Sequence, residues 1–169
     1  MNKTLVWSSV MMLLGCFVAV NAVGGQEGGK EQATATVPRL YRVIVPVPDI
    51  ERAAEFYQGL LGIEGKRVSG GRHYLDCGGV ILALYQPSGD GDAEAPRPLP
   101  EHIYFAVSDL EAVYERAEGL GGLSTETGDG GLPMGKIATR PWRERSFYMR
   151  DPFGSPLCFV DETTLFTGR

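Results

Sequence analysis

Two stretches of this chain repeat one another sixty residues apart: RVIVPVPDIERAAEFY from Arg42 and HIYFAVSDLEAVYERA from His102. In each, a run of β-branched and aromatic residues reaches an Asp, Asp49 or Asp109, seven residues after its first polar residue. An amphipathic helical pattern follows both. A repeat of this size predicts two similar supersecondary units packed into one domain, with a shared cleft between them. Arg42 and His102 hold the same place in the two copies yet differ in chemistry, and the functional reading turns on that mismatch.

The rest of the chain fills in each unit. A strand over 41–47 is closed by Pro46 and Pro48, since proline cannot donate to a ladder. Asp49 caps a helix whose Ile50, Ala53, Ala54, Tyr57, Leu60 and Leu61 share one face, and Gly62 ends it. Strands are predicted at 64–68, 72–77 and 80–85, with glycine pairs as turns between them. A stretch over 86–100 with four prolines reads as the connection between halves. The second unit repeats the order. It has a strand over 102–107, a helix opened by a Ser108/Glu111 capping box and ended over 119–122, then strands at 136–139, 146–150 and 156–160. Each half is therefore β-α-β-β-β, an α+β pattern with mainly antiparallel pairing rather than a doubly wound one. Each curved sheet is expected to enclose a groove on the face away from its helix.

The first residues are not counted as fold. A short positive start, an apolar run from Leu5 to Val20 and the small residues at Val20-Asn-Ala22 predict a signal peptide over 1–22. Two alternatives stand beside cleavage at that point. An uncleaved membrane anchor would use the uncharged run over 4–23, and a lipoprotein would be anchored at Cys16 of Leu-Leu-Gly-Cys. All three place the domain outside the cytoplasm, in the periplasm or cell envelope. Residues 23–37, rich in Gly, Gln, Glu, Ala and Thr, predict a flexible tether. Residues 38–169 form the domain, with module 1 over about 39–86, a linker over 87–100 and module 2 over about 101–163. The formal net charge is −5, and loss of Lys3 with a cleaved leader makes it more acidic. No basic cluster is present, so nucleic acid is not an expected partner. Cys77 and Cys158 fit no metal knuckle or CxxC motif, and spacing alone leaves open whether they pair.

Paired βαβββ modules, the six-residue spacing to Asp-Ile-Glu or Asp-Leu-Glu in each half and the DPFGSPLCFVD ending resemble the vicinal oxygen chelate superfamily. That group includes glyoxalase I, extradiol dioxygenases, fosfomycin-resistance thiol transferases and bleomycin-resistance binding proteins. The likeness spans about residues 39–163. It implies the glyoxalase/bleomycin-resistance/dioxygenase fold, two tandem modules of curved mixed sheet around a cleft. It implies no single reaction, because one scaffold hosts many chemistries. In metal-using members four strand positions supply ligands, and here those positions carry Arg42, about Ala83, His102 and Cys158. A guanidinium has no lone pair to give and alanine has no donor atom. One imidazole and one thiol fall short of the three protein ligands of a catalytic zinc. No cofactor is therefore predicted. The alternative, a divalent metal, would need a register slip bringing in Tyr85, two residues from Ala83 on the same face.

Alternation along the strands points Arg42, Ile44 and Pro46, Ala83 and Tyr85, His102, Tyr104 and Ala106, and Cys158 and Val160 toward the cleft. Such a cleft is apolar and aromatic, with one fixed cation and one titratable imidazole. Arg42 suits a carboxylate, phosphate or enolate oxygen, and His102 suits a general base or a donor. The competing structural readings are an Arg42 paired with a carboxylate such as Asp76, and a His102 without a task. Trp142, within Arg140-Pro-Trp-Arg-Glu-Arg145, either closes over a ligand or covers a dimer seam. His73 reads as structural. The expectation is an exported small-molecule binding domain, a homodimer, possessing a degenerate metal site. The alternative is a lyase or dioxygenase-type enzyme using His102, Cys158 and Tyr85.

Overall fold

The computed structural model describes residues 38–168, so the leader, the tether and Cys16 lie outside the described residues. Module 1 runs β1 (Arg42–Pro46), α1 (Ile50–Leu61), β2 (Gly65–Ser69), β3 (Arg72–Asp76) and β4 (Ile81–Tyr85). Module 2 repeats it as β5 (Ile103–Val107), α2 (Leu110–Leu120), β6 (Ala138–Thr139), β7 (Arg145–Arg150) and β8 (Pro156–Asp161). The two four-stranded sheets have the same order, β1-β4-β3-β2 and β5-β8-β7-β6. In each, the first strand pairs in parallel with the last, and the other pairings are antiparallel. The helix crossover makes that parallel pair possible, because a tight hairpin cannot.

Alternation assigns the faces. Val45, Leu75, Leu82 and Leu84 of the first sheet and Phe147, Met149, Leu157 and Phe159 of the second are buried in one continuous core with Tyr57, Leu60, Leu110 and Val113 of the helices. A small second cluster, Tyr148, Cys158 and Val160 with Met134, lies on the opposite face of the second sheet. The modules are also joined by polar contacts. Tyr57 Oη donates to Asp151 Oδ2 (2.9 Å, buried), and Arg116 Nε donates to the Leu60 carbonyl at the end of α1 (2.9 Å).

Local chemistry explains most boundaries. The Asp49 carboxylate accepts from Arg52 N, and Gly62 closes α1 at φ 68°, a left-handed conformation that glycine adopts without a side-chain clash. The predicted Ser108/Glu111 box is not what opens α2. Asp109 is the cap, accepting from Ala112 N at 2.9 Å, and it repeats the role of Asp49. The helix starts one residue later, and the Asp109 carboxylate takes the Ala112 amide, one beyond the Glu111 amide that the serine was expected to serve. Strand ends differ from expectation by one or two residues. The predicted strand over 136–139 shrinks to Ala138–Thr139, because Lys136 N turns back to the Pro133 carbonyl. The connection after β4 holds a short 3-10 turn (Pro87–Asp90), whose Asp90 carboxylate accepts from Ser69 Oγ, Gly71 N and Arg72 Nε.

Candidate functional site

The face of the first sheet away from the helices carries Arg42. Its guanidinium lies over the ring of Tyr74 (4.7 Å to the centroid) and near that of Tyr41 (5.1 Å). The expected pairing with Asp76 does not form. Asp76 Oδ1 instead accepts from Gly79 N (2.7 Å) and holds the β3–β4 turn. Arg42 Nε is buried with no partner, and Arg42 makes no ion pair among the described residues. A planar cation stacked on π faces keeps its in-plane N–H donors free for another ligand. Ala83 stands opposite Ile44, two pairs along the strands from Arg42 and Ile81 and on the same face. Tyr85 is engaged elsewhere: its hydroxyl bonds Asp92, and Arg72 lies over its ring at 4.3 Å.

The matching face of the second sheet gathers an aromatic group. Across the strands, Tyr104 stands opposite Cys158, and Cys158 opposite Tyr148. His102, just before β5, packs edge-on to Tyr148 (5.1 Å between ring centroids) and lies 6.1 Å from Tyr104. Burial pushes the Cys158 thiol up to about 12, so it stays protonated near neutral pH and is a poor nucleophile. Burial and the neighbouring Cys158 likewise raise the Tyr148 phenol. Cys77 and Cys158 are both free thiols. Cys77 packs against the main core and Cys158 belongs to the cluster on the other side of its sheet.

Below this row lies Arg140, only 3% exposed. It stacks over Tyr148 (5.1 Å) and donates to Ser146 Oγ and to the carbonyls of Pro133, Met134, Lys136 and Ser146. It thus pins the loop before β6 to β7. Trp142 Nε1 donates to Glu144 Oε2 at 2.7 Å. These two side chains, with Tyr104, Ala106, Val160 and the C-terminal Leu165, Phe166 and Thr167, line a cavity of about 660 Å³. A second crevice of about 760 Å³ runs along β5 and is walled by Leu40, Val43, Cys77 and Leu82.

The sequence-derived positions therefore fall into two groups. His102, Tyr104, Cys158 and Trp142 share one face of the second sheet. Arg42, Ala83 and Tyr85 lie on the first, and neither Arg42 nor Ala83 lines either cavity. Sequence reasoning overlooked Tyr74, Tyr148 and Glu144. The signal for Tyr148 was available, since Ser146 and Tyr148 alternate with the core residues Phe147 and Met149 along β7. Glu144 carried none, because its neighbours come from a loop and the chain end.

The profile of the Glyoxalase/Bleomycin resistance protein/Dioxygenase superfamily matches residues 39–159. The chain belongs to this superfamily. No curated protein sequence matches it. Among solved structures, a glyoxalase-related enzyme from Fulvimarina pelagi aligns at 17% identity and a TM-score of 0.58, covering 74% of this chain and 88% of that one. A lactoylglutathione lyase from Agrobacterium tumefaciens aligns at 21% identity and a TM-score of 0.52, covering 77% and 96%. A bleomycin-binding protein complexed with bleomycin aligns at 18% identity and a TM-score of 0.50, covering 74% and 98%. At these identities the likeness concerns the fold, which this vicinal oxygen chelate domain shares with enzymes and binding proteins alike.

Proposed function

We propose that this vicinal oxygen chelate domain is an exported small-molecule binding protein whose cleft holds an anionic or aromatic compound without a metal ion. The observation that carries the reading is Arg42: a permanently charged guanidinium lying against the rings of Tyr74 and Tyr41, with no carboxylate paired to it among the described residues. It is suited to grip a carboxylate or phosphate through paired N–H donors while Tyr74 and Tyr41 flank an attached ring. The donor chemistry supports a metal-free cleft. Among the described residues no group of three or more His, Cys, Asp or Glu side chains is placed to hold an ion. Arg42 and Ala83 have no lone pair for one, and Cys158 holds its proton, so the residues present do not fit a divalent cation. A bleomycin-binding relative supports small-molecule capture as a use of this fold. The positive start at Lys3 and the apolar run from Leu5 to Val20 support export, with a membrane tether if the leader is retained or Cys16 is lipidated.

The binding form is a homodimer in this reading. Ile44 (48% exposed) stands on a face of the first sheet that a second copy would cover. Sedimentation equilibrium giving a monomer at micromolar concentration would remove that part. The test of the main reading is calorimetric titration with benzoate and with inorganic phosphate. One of them is expected to bind saturably, with affinity reduced about tenfold or more in Arg42→Ala. Binding unchanged in that variant, or one tightly held divalent ion per chain in protein purified without chelator, would overturn it.

A second reading, a lyase or dioxygenase-type enzyme with a remodelled site, rests on His102 held against Tyr148 and Tyr104. It predicts turnover of a dicarbonyl or catechol that His102→Ala abolishes with the fold intact. No turnover across a panel supplied with Zn²⁺, Ni²⁺, Mn²⁺ or Fe²⁺ would exclude it.

A further inference from the structure

The cavity at the end of the second sheet has an unusual wall. Glu144 is 9% exposed, yet it forms no ion pair among the described residues. Its two oxygens are held by neutral donors, Oε2 by the Trp142 indole (2.7 Å) and Oε1 by the Phe166 amide (3.0 Å). Each carboxylate oxygen keeps lone-pair capacity beyond one such bond. Three arginines flank Glu144 in sequence, and none of them lines the cavity. Arg140 directs its donors to backbone carbonyls and Ser146, and Arg145 pairs with Glu111 and Asp161. What faces the carboxylate across the cavity is aromatic and aliphatic: Tyr104, Phe166, Trp142, Val160 and Leu165.

A buried carboxylate without a counter-ion, ringed by π faces, is the chemistry that recognises a cation with apolar substituents. The charge meets Glu144 at short range, the alkyl groups lie against the rings, and the ring quadrupoles add attraction. A carboxylate ligand would instead be repelled, and a neutral one would leave Glu144 uncompensated.

We propose that Glu144, Trp142, Tyr104 and Phe166 form a binding site for an alkylated ammonium group. The site stands apart from the anion-gripping role of Arg42, which lies on the other sheet, and does not depend on it.

The probe is choline against its uncharged carbon isostere, 3,3-dimethylbutan-1-ol, added to the full chain labelled with ¹⁵N. The Trp142 indole N–H resonance is the readout, identified by its loss in Trp142→Leu. Choline is expected to shift it saturably, with an affinity about tenfold above that of the alcohol. Glu144→Gln is expected to abolish the preference. Tyr104→Leu, at an exposed position that leaves the core intact, is expected to weaken choline several-fold more than the alcohol. Arg42→Ala is expected to retain choline binding, which separates failure of this site from failure of the anion reading. Equal affinity for the two compounds, no shift from choline, or a preference that survives in both Glu144→Gln and Tyr104→Leu would overturn the proposal.

Discussion

His73 shows how much a single buried side chain can set. It is 7% exposed on the helix-facing side of β3, and among the described residues neither ring nitrogen has a hydrogen-bond partner. Burial, reinforced by the charge of Arg67, lowers its pKa from the ordinary value near 6.5. The folded state therefore keeps the ring neutral over a range where the unfolded chain takes up a proton. Above about pH 6.5 neither state is protonated and the residue contributes no pH dependence. As pH falls through that value the unfolded state gains its proton first, and stability drops. Thermal melts are expected to show a loss between pH 7.5 and 5.5 that His73→Leu largely removes. An unchanged pH slope in the variant would show that another group is responsible. Gly65 belongs to the same site: a β-carbon there would collide with His73 Nε2, so Gly65→Ala is expected to destabilise by about 1–3 kcal/mol in a denaturant titration.

At the scale of elements, the two helices start by one device used twice. Asp49 and Asp109 each accept from the amide three residues on, at 3.0 and 2.9 Å. Asp49→Ala and Asp109→Ala are each expected to cost about 0.5–2 kcal/mol in chemical denaturation, while Ser108→Ala stays within a few tenths. A Ser108→Ala loss as large as that of Asp109→Ala would restore the capping box. The cap of α1 was legible in the sequence because a cap is a local device, while at α2 two adjacent residues competed for the role and Asp109, not the expected Ser108, fills it. The same locality exposed both amphipathic helices and the helix-ending glycine at Gly62. Strand ends were less legible, since they depend on which partner strand offers a matching amide.

For the molecule as a whole, the decisive contacts join the two modules. Tyr57 on α1 reaches across to Asp151 in the β7–β8 turn, where the other carboxylate oxygen accepts from the amides of Phe153 and Ser155. Burial and the adjacent carboxylate push the Tyr57 phenol well above its usual value, so it remains a donor at all physiological pH. Tyr57→Phe strips a buried acceptor of its partner and is expected to cost about 1–3 kcal/mol in denaturant unfolding. Should the variant melt like the parent, the Tyr57–Asp151 bond contributes nothing to holding the modules together.

The repeat by itself determined two βαβββ units, their helices, the Asp49 cap of the first and the side of β1, β4, β5 and β8 that faces away from the core. Through the family resemblance it also set the expectation that Arg42 and Ala83 stand at positions where metal-using members coordinate an ion. These follow from spacing and side-chain chemistry, which the chain carries without folding. Only the tertiary structure decided that Arg42 stacks on Tyr74 rather than pairing with Asp76, that Cys77 and Cys158 remain free, and that Glu144 meets Tyr104 and Phe166. Those neighbours come from different strands, a loop and the chain end. Which residues touch across such separations is set by sheet register and core packing, not by periodicity along the sequence.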